Sequence, residues 1–225
     1  MGSHTSITSV DGFQFTAYRA EPEGPARGAV VVVQEIFGVN SHIRSVTDRY
    51  AAAGYLAIAP ALFDRIRPGI ELGYTGDDMA EGLGYARQDL EFELVLADVA
   101  ATGRVASSAG KVGVVGYCFG GLVAAASAIH TSDVFAAASS YYGGGTVGLI
   151  ADAPKIPMIM HYGALDAHIP PTDVVQISSA WPTAIVHTYD DADHGFNCDH
   201  RGSFSAVPAA IAQARTFRFF DQHIG

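Results

Sequence analysis

Two periods of apolar and polar residues divide the chain. Residues 5–10 and 13–19 alternate apolar with polar positions around Asp11-Gly12, which predicts an antiparallel hairpin. From residue 28 the pattern changes to short continuous apolar runs, the mark of strands buried on both faces. These runs fall at 28–34, 55–59, 111–115, 134–142, 157–162 and 184–189. Helical patterns lie between them. One runs to Ala53, with Asn40 or Ser41 as its cap and Gly54 as its stop. Others cover 79–106, with a candidate break at Gly84, then Leu122 to about His130, 171–180 and 207–223. Residues 64–78 read as irregular. Strands that alternate with helices after an antiparallel start predict an α/β fold. The sheet is expected to be mainly parallel with an antiparallel N-terminal hairpin and helices on both faces, in one domain spanning residues 1–225.

Composition narrows the partners. The net charge is −10 with only 13 Lys and Arg, which argues against nucleic acid as a ligand. No apolar run reaches membrane-spanning length, and the N-terminal stretch lacks a basic segment followed by an apolar core. The expectation is a soluble cytoplasmic protein, a monomer or small homo-oligomer, with reduced thiols. Its two cysteines stand 80 residues apart, a spacing that suggests neither a disulfide framework nor zinc.

The chemistry centres on Gly116-Tyr117-Cys118-Phe119-Gly120-Gly121, between an apolar strand and an Ala-rich helix. Glycines two before and two after Cys118 permit a turn too sharp for residues with a Cβ. That is the Gly-x-nucleophile-x-Gly elbow of α/β-hydrolases, with Cys in place of Ser. A helix N-terminus behind the thiol favours a thiolate and offers N–H groups to an oxyanion.

A thiol needs a base. His194 follows the last strand, late in the chain as the order nucleophile, acid, histidine requires. His161, His168, His187 and His200 compete; His187 reads as packed and His161 as a weak alternative. Asp166, in the loop after the preceding strand, is the candidate to orient His194. Asp190, Asp191 and Asp193 read as a solvated turn, and Asp173 as a first-turn helix residue. Glu35 directly follows the valine run, where a carboxylate is costly unless partnered. It reads either as a capping residue or ion pair to a surface Arg, or as a second carboxylate in the Cys118 pocket, able to bond the thiol, take its proton or compete with it for His194. The backbone N–H groups of Phe119 and Ile36 are the candidate oxyanion hole. Phe37, Tyr142 and Phe196 are candidate apolar pocket residues.

These residues together resemble the dienelactone hydrolase family, a branch of the α/β-hydrolases with a Cys-His-Asp triad. The matching stretches are Gln34-Glu35-Ile36-Phe37-Gly38-Val39-Asn40, Gly113 through Gly121, Tyr141-Tyr142-Gly143, Gly163 through Pro170, and His194-Gly195-Phe196. The resemblance implies hydrolysis of a small-molecule lactone or activated ester through a thioester at Cys118, with no metal or cofactor. It also implies that Glu35 controls ionisation of the thiol. The family's substrate-binding arginines are not in their usual places. No Arg or Lys lies between Arg67 and Arg87, and Cys198 stands four residues after His194, with Arg201 the nearest arginine. An inward-pointing Arg201 or Arg87 would favour an anionic lactone; an apolar lining would favour neutral esters. Cys198 reads as a packed loop residue. Rival readings keep the site but attack phosphoesters such as organophosphates, keep the fold without catalysis, or use Cys118 and Cys198 as a redox pair.

Overall fold

A computed structural model describes residues 2–225, and Met1 lies outside the described residues. The strands are β1 Ser3–Thr8, β2 Gln14–Ala20, β3 Ala29–Val33, β4 Leu56–Pro60, β5 Val112–Tyr117, β6 Ala137–Tyr141, β7 Met158–Gly163 and β8 Ile185–Tyr189. The helices are α1 Ser41–Ala52, α2 Gly76–Gly84, α3 Phe92–Ala106, α4 Phe119–His130, α5 Pro171–Ala180 and α6 Ala206–His223. The strands form one mixed sheet in the order β1-β2-β4-β3-β5-β6-β7-β8. The β1–β2 and β2–β4 pairs are antiparallel and all others parallel. Every residue of β3, β4, β5, β6 and β7 is buried, so both faces of the sheet are covered. This is the expected α/β-hydrolase architecture, and the four consecutive buried valines of β3 contribute roughly 1.5–3 kcal/mol each.

Several boundaries differ from the sequence pattern. The hairpin begins earlier, because Ser3 and His4 already pair with Arg19 and Tyr18. Helix α2 begins at Gly76 rather than Met79. Thr75 and Asp78 cap it reciprocally, and this overrides the loop-like look of Gly76-Asp77-Asp78. The helical run breaks at Leu90, after a π-helical turn Tyr85–Asp89, and not at Gly84. The irregular region holds a tight turn, Leu62–Arg65, anchored by charge. Arg65 makes a two-pronged pair with buried Asp98 of α3 at 2.7 Å on each oxygen. Asp64 accepts from the N–H groups of Thr16 and Gly69.

What positions the site is the set of parallel strand ends. Residues 34–40 leave β3, the Cys118 turn leaves β5, residues 142–145 leave β6, residues 164–170 leave β7 and residues 190–205 leave β8. All five emerge at the carboxyl edge, where open α/β sheets place their ligands. Asn40 is the α1 cap, accepting from Ile43 N–H at 3.3 Å. No helix among the described residues is long and apolar enough to cross a membrane.

Candidate active site

Cys118 sits at the apex between β5 and α4 with φ +55° and ψ −113°, a conformation that costs a non-glycine residue of order 1–3 kcal/mol. Its surroundings hold it there. Its N–H donates to Tyr141 O at 3.0 Å, and its carbonyl accepts from Gly121 and Leu122. The flanking glycines are required by contact. A Cβ on Gly116 would overlap Gly120 O, and one on Gly120 would overlap Val33 O and Gln34 O. The start of α4 therefore lies directly on the backbone that leads into Glu35 and Ile36.

Two further strand-end loops complete a chain of polar atoms. His194 Nε2 lies 3.1 Å from Cys118 Sγ, and His194 Nδ1 lies 2.7 Å from Asp166 Oδ2. Asp166 is buried, and its other oxygen accepts from His168 N–H at 2.8 Å. His194 is clamped from its own loop as well, where its N–H donates to Asp193 Oδ1. Burial disfavours the charged imidazole. The hydrogen bonds to Asp166 and Cys118, with their charges, outweigh this and push His194 up to about 10. An imidazolium held beside Sγ is the partner that a thiolate needs.

The competing histidines lie elsewhere. His161 is fully buried between Tyr189 Oη at 2.9 Å and Thr216 Oγ1 at 3.0 Å, and burial holds it well below the usual imidazole range. His187 stacks on it. His168 is exposed and edge-on to His194. Asp190, Asp191 and Asp193 are exposed, and Asp173 sits in the first turn of α5.

Glu35 is placed differently from the reading that put it on the thiol. It is fully buried, and its Oε1 faces Arg201 Nη1 at 3.3 Å; the thiol's hydrogen-bond partner is His194. Arg201 is mostly buried and also lies over the Phe37 ring at 5.7 Å. Arg87 is exposed. The arginine of this pocket therefore comes from the turn after β8.

Phe119 N–H is the first of α4 and has no acceptor within the helix. Ile36 N–H makes no hydrogen bond among the described residues, and Gly82 of α2 lies against the Ile36 carbonyl. The aromatic candidates form a packed floor. Phe37, Tyr142 and Phe196 expose at most 1% of their surface. Tyr142 stands edge-on to both His194 and Phe196. They shape the site from beneath instead of presenting free surface to a ligand.

Two neighbours escaped the sequence reading. His42 and Tyr74 stand beside Glu35 and Cys198. Tyr74 Oη is 3.3 Å from Cys198 Sγ and 3.1 Å from Asn40 Nδ2. Burial pushes the Cys198 thiol up to about 12, which makes it a poor redox partner for Cys118. His42 follows the Asn40 cap by two residues, a cue that the helix start lies at the strand ends.

Comparison with known proteins gives the family and the fold. The profile of the dienelactone hydrolase family matches residues 15–224. The carboxymethylenebutenolidase of Pseudomonas putida is 32% identical over 223 residues, covering 95% of this chain and 94% of its own. A Synechocystis protein provisionally named a carboxymethylenebutenolidase is 36% identical over 231 residues, covering 94% and 93%. The crystal structure of a Klebsiella pneumoniae protein, provisionally named a dienelactone hydrolase, superposes with a TM-score of 0.88 at 32% identity and covers 99% of both chains.

Proposed function

The chain belongs to the dienelactone hydrolase family and is an ester or lactone hydrolase, and from that premise we propose a mechanism through Cys118, His194 and Asp166. Cys118 Sγ attacks the acyl carbon. The thiol proton rests on His194 Nε2 before the attack, so the sulfur attacks as thiolate beside an imidazolium, and His194 later passes that proton to the leaving alkoxide. Asp166 fixes His194 with its Nδ1 protonated, so that Nε2 faces the sulfur. The N–H groups of Phe119 and Ile36 receive the oxyanion, each typically contributing roughly 3 kcal/mol. His194 then activates a water that cleaves the thioester and releases the acid. The observation that carries this reading is the continuous path Cys118 Sγ–His194–Asp166 at 3.1 and 2.7 Å.

The favoured substrate is a lactone or activated ester that carries a carboxylate. Arg201 supports this: it is a guanidinium beside the nucleophile's pocket, and its present partner Glu35 is an internal carboxylate that a substrate carboxylate can replace. The test is a panel of unsaturated lactones with and without a carboxylate, p-nitrophenyl esters and phosphotriesters. The anionic lactone should show the highest kcat/KM, and Arg201→Met should raise its KM while leaving neutral esters nearly unchanged. Equal turnover of neutral and anionic lactones would remove the anionic preference. Faster turnover of phosphotriesters than of any carboxylic ester would overturn the reaction class.

A further inference from the structure

We propose that Glu35, His42 and Cys198 form a binding site for one borderline-soft divalent cation, with Zn2+ the best match. One ligand atom from each residue lies within 4.8 Å of those of the other two, and all three side chains are fully buried. Zinc bonds of about 2.0–2.3 Å require the three donors to draw in by ~1 Å or less. An oxygen, a nitrogen and a sulfur donor together suit zinc better than calcium or magnesium, which take oxygen alone.

The free atoms point to a ligand. Glu35 Oε2 and His42 Nε2 are buried and have no hydrogen-bond partner, while Oε1 is occupied by Arg201. Leaving such groups unpaired is unfavourable, and a cation bound to both relieves it. Surrounding groups already hold the donors as metal ligands are held. His42 Nδ1 lies 3.0 Å from Asp199 Oδ1, and Asp199 is anchored by Arg49 at 2.8 Å. A carboxylate on Nδ1–H leaves the Nε2 lone pair bare, the arrangement common behind zinc-bound histidine. Cys198 has a matching support in Tyr74 Oη, which accepts from Asn40 Nδ2 and from the Cys198 thiol; once the thiol proton is lost, the Tyr74 hydroxyl can donate to the sulfur instead. On binding, the Cys198 thiol proton leaves to solvent and the thiolate takes up the metal. Glu35 and His42 come from the β3 end and α1, Cys198 from the turn after β8, so no short sequence spacing reveals the set.

A cation on Oε2 would share the Glu35 charge with Arg201 on Oε1, loosen that ion pair and so couple metal occupancy to the substrate pocket. That coupling rests on the function proposed above, whereas the binding does not. The test titrates the full, chelator-stripped chain with Zn2+ by calorimetry and with Co2+ by absorbance. One equivalent should bind at micromolar affinity or tighter, Co2+ should give a thiolate charge-transfer band, and Zn2+ should raise Tm. Cys198→Ser and His42→Gln should each weaken Zn2+ by about 100-fold and abolish the band, while Cys118→Ala keeps both. Circular dichroism of the metal-free variants checks that they fold; should Cys198→Ser not, His42→Gln decides. Absence of stoichiometric binding, binding retained in the folded variants, or binding lost in Cys118→Ala would overturn the site. KM for an anionic lactone should shift with Zn2+ in the wild type and not in Cys198→Ser; no shift, with binding intact, would overturn the coupling alone.

Discussion

Replacing Asp166 with Asn tests the orienting role of the carboxylate with almost no change of shape. Oδ1 would still accept from His168 N–H, so the loop after β7 keeps its anchor. Oδ2 becomes an amide NH2 that donates, where His194 Nδ1–H now donates at 2.7 Å. The imidazole must then place its proton on Nε2, facing Cys118, which is the wrong tautomer for a base. The magnitude follows from the bond lost. A hydrogen bond to a charged group, here at 2.7 Å, contributes ~1.5–3 kcal/mol, a fall of roughly 10- to 160-fold in acylation rate when it is removed. The assay is stopped-flow release of p-nitrophenol from an activated ester, separating the acylation burst from steady turnover. Asp166→Asn should slow the burst by at least ~100-fold once the tautomer is included, with KM changed little. A burst within fivefold of wild type, in a variant that melts normally, would refute the orienting role.

Other predictions follow from the same contacts. Gly120→Ala drives a methyl group into the carbonyls of Val33 and Gln34 and should cost about 3 kcal/mol or more, a Tm drop of roughly 6–12 °C by calorimetry. Glu35→Gln leaves Arg201 without its carboxylate and should cost ~1–3 kcal/mol in urea unfolding. In the same variant, alkylation of Cys118 should stay within about threefold of wild type, because His194 holds the thiol. NMR titration should find His194 protonated through pH 8, with Asp166→Asn lowering its midpoint. Between pH 6.5 and about 10 the folded chain holds a proton on His194 that the unfolded chain has lost. Its contribution to stability is therefore complete below pH 6.5 and falls as pH rises through about 10.

Much of the architecture was legible because local pattern and tertiary need coincide. The valine run of β3 is apolar at every position since both faces of that strand are covered, and Gly116 and Gly120 announce the turn because backbone atoms occupy the space of their Cβ atoms. Cys118, Asp166 and His194 could be picked out from their places after successive strands, since a parallel sheet brings those ends together. Long-range pairings were not legible. Glu35 could be read toward the thiol or toward an arginine, and only the folding of the turn after β8 onto the β3 end selects Arg201. His42 and Tyr74 carry no motif; they matter because α1 starts at that same edge. Phe37, Tyr142 and Phe196 were placed at the right edge, but one-dimensional pattern does not say whether an aromatic residue lines a pocket or underlies it.

The most direct test of the central claim is to identify the acylated residue. The enzyme is mixed with an activated ester, quenched in acid within milliseconds, and examined by intact and peptide mass spectrometry. The mechanism predicts one acyl group, on Cys118 and not on Cys198, appearing at the burst rate and absent together with turnover in Cys118→Ala. Turnover that persists in Cys118→Ala, or an acyl group that forms on another residue at the turnover rate, would contradict it.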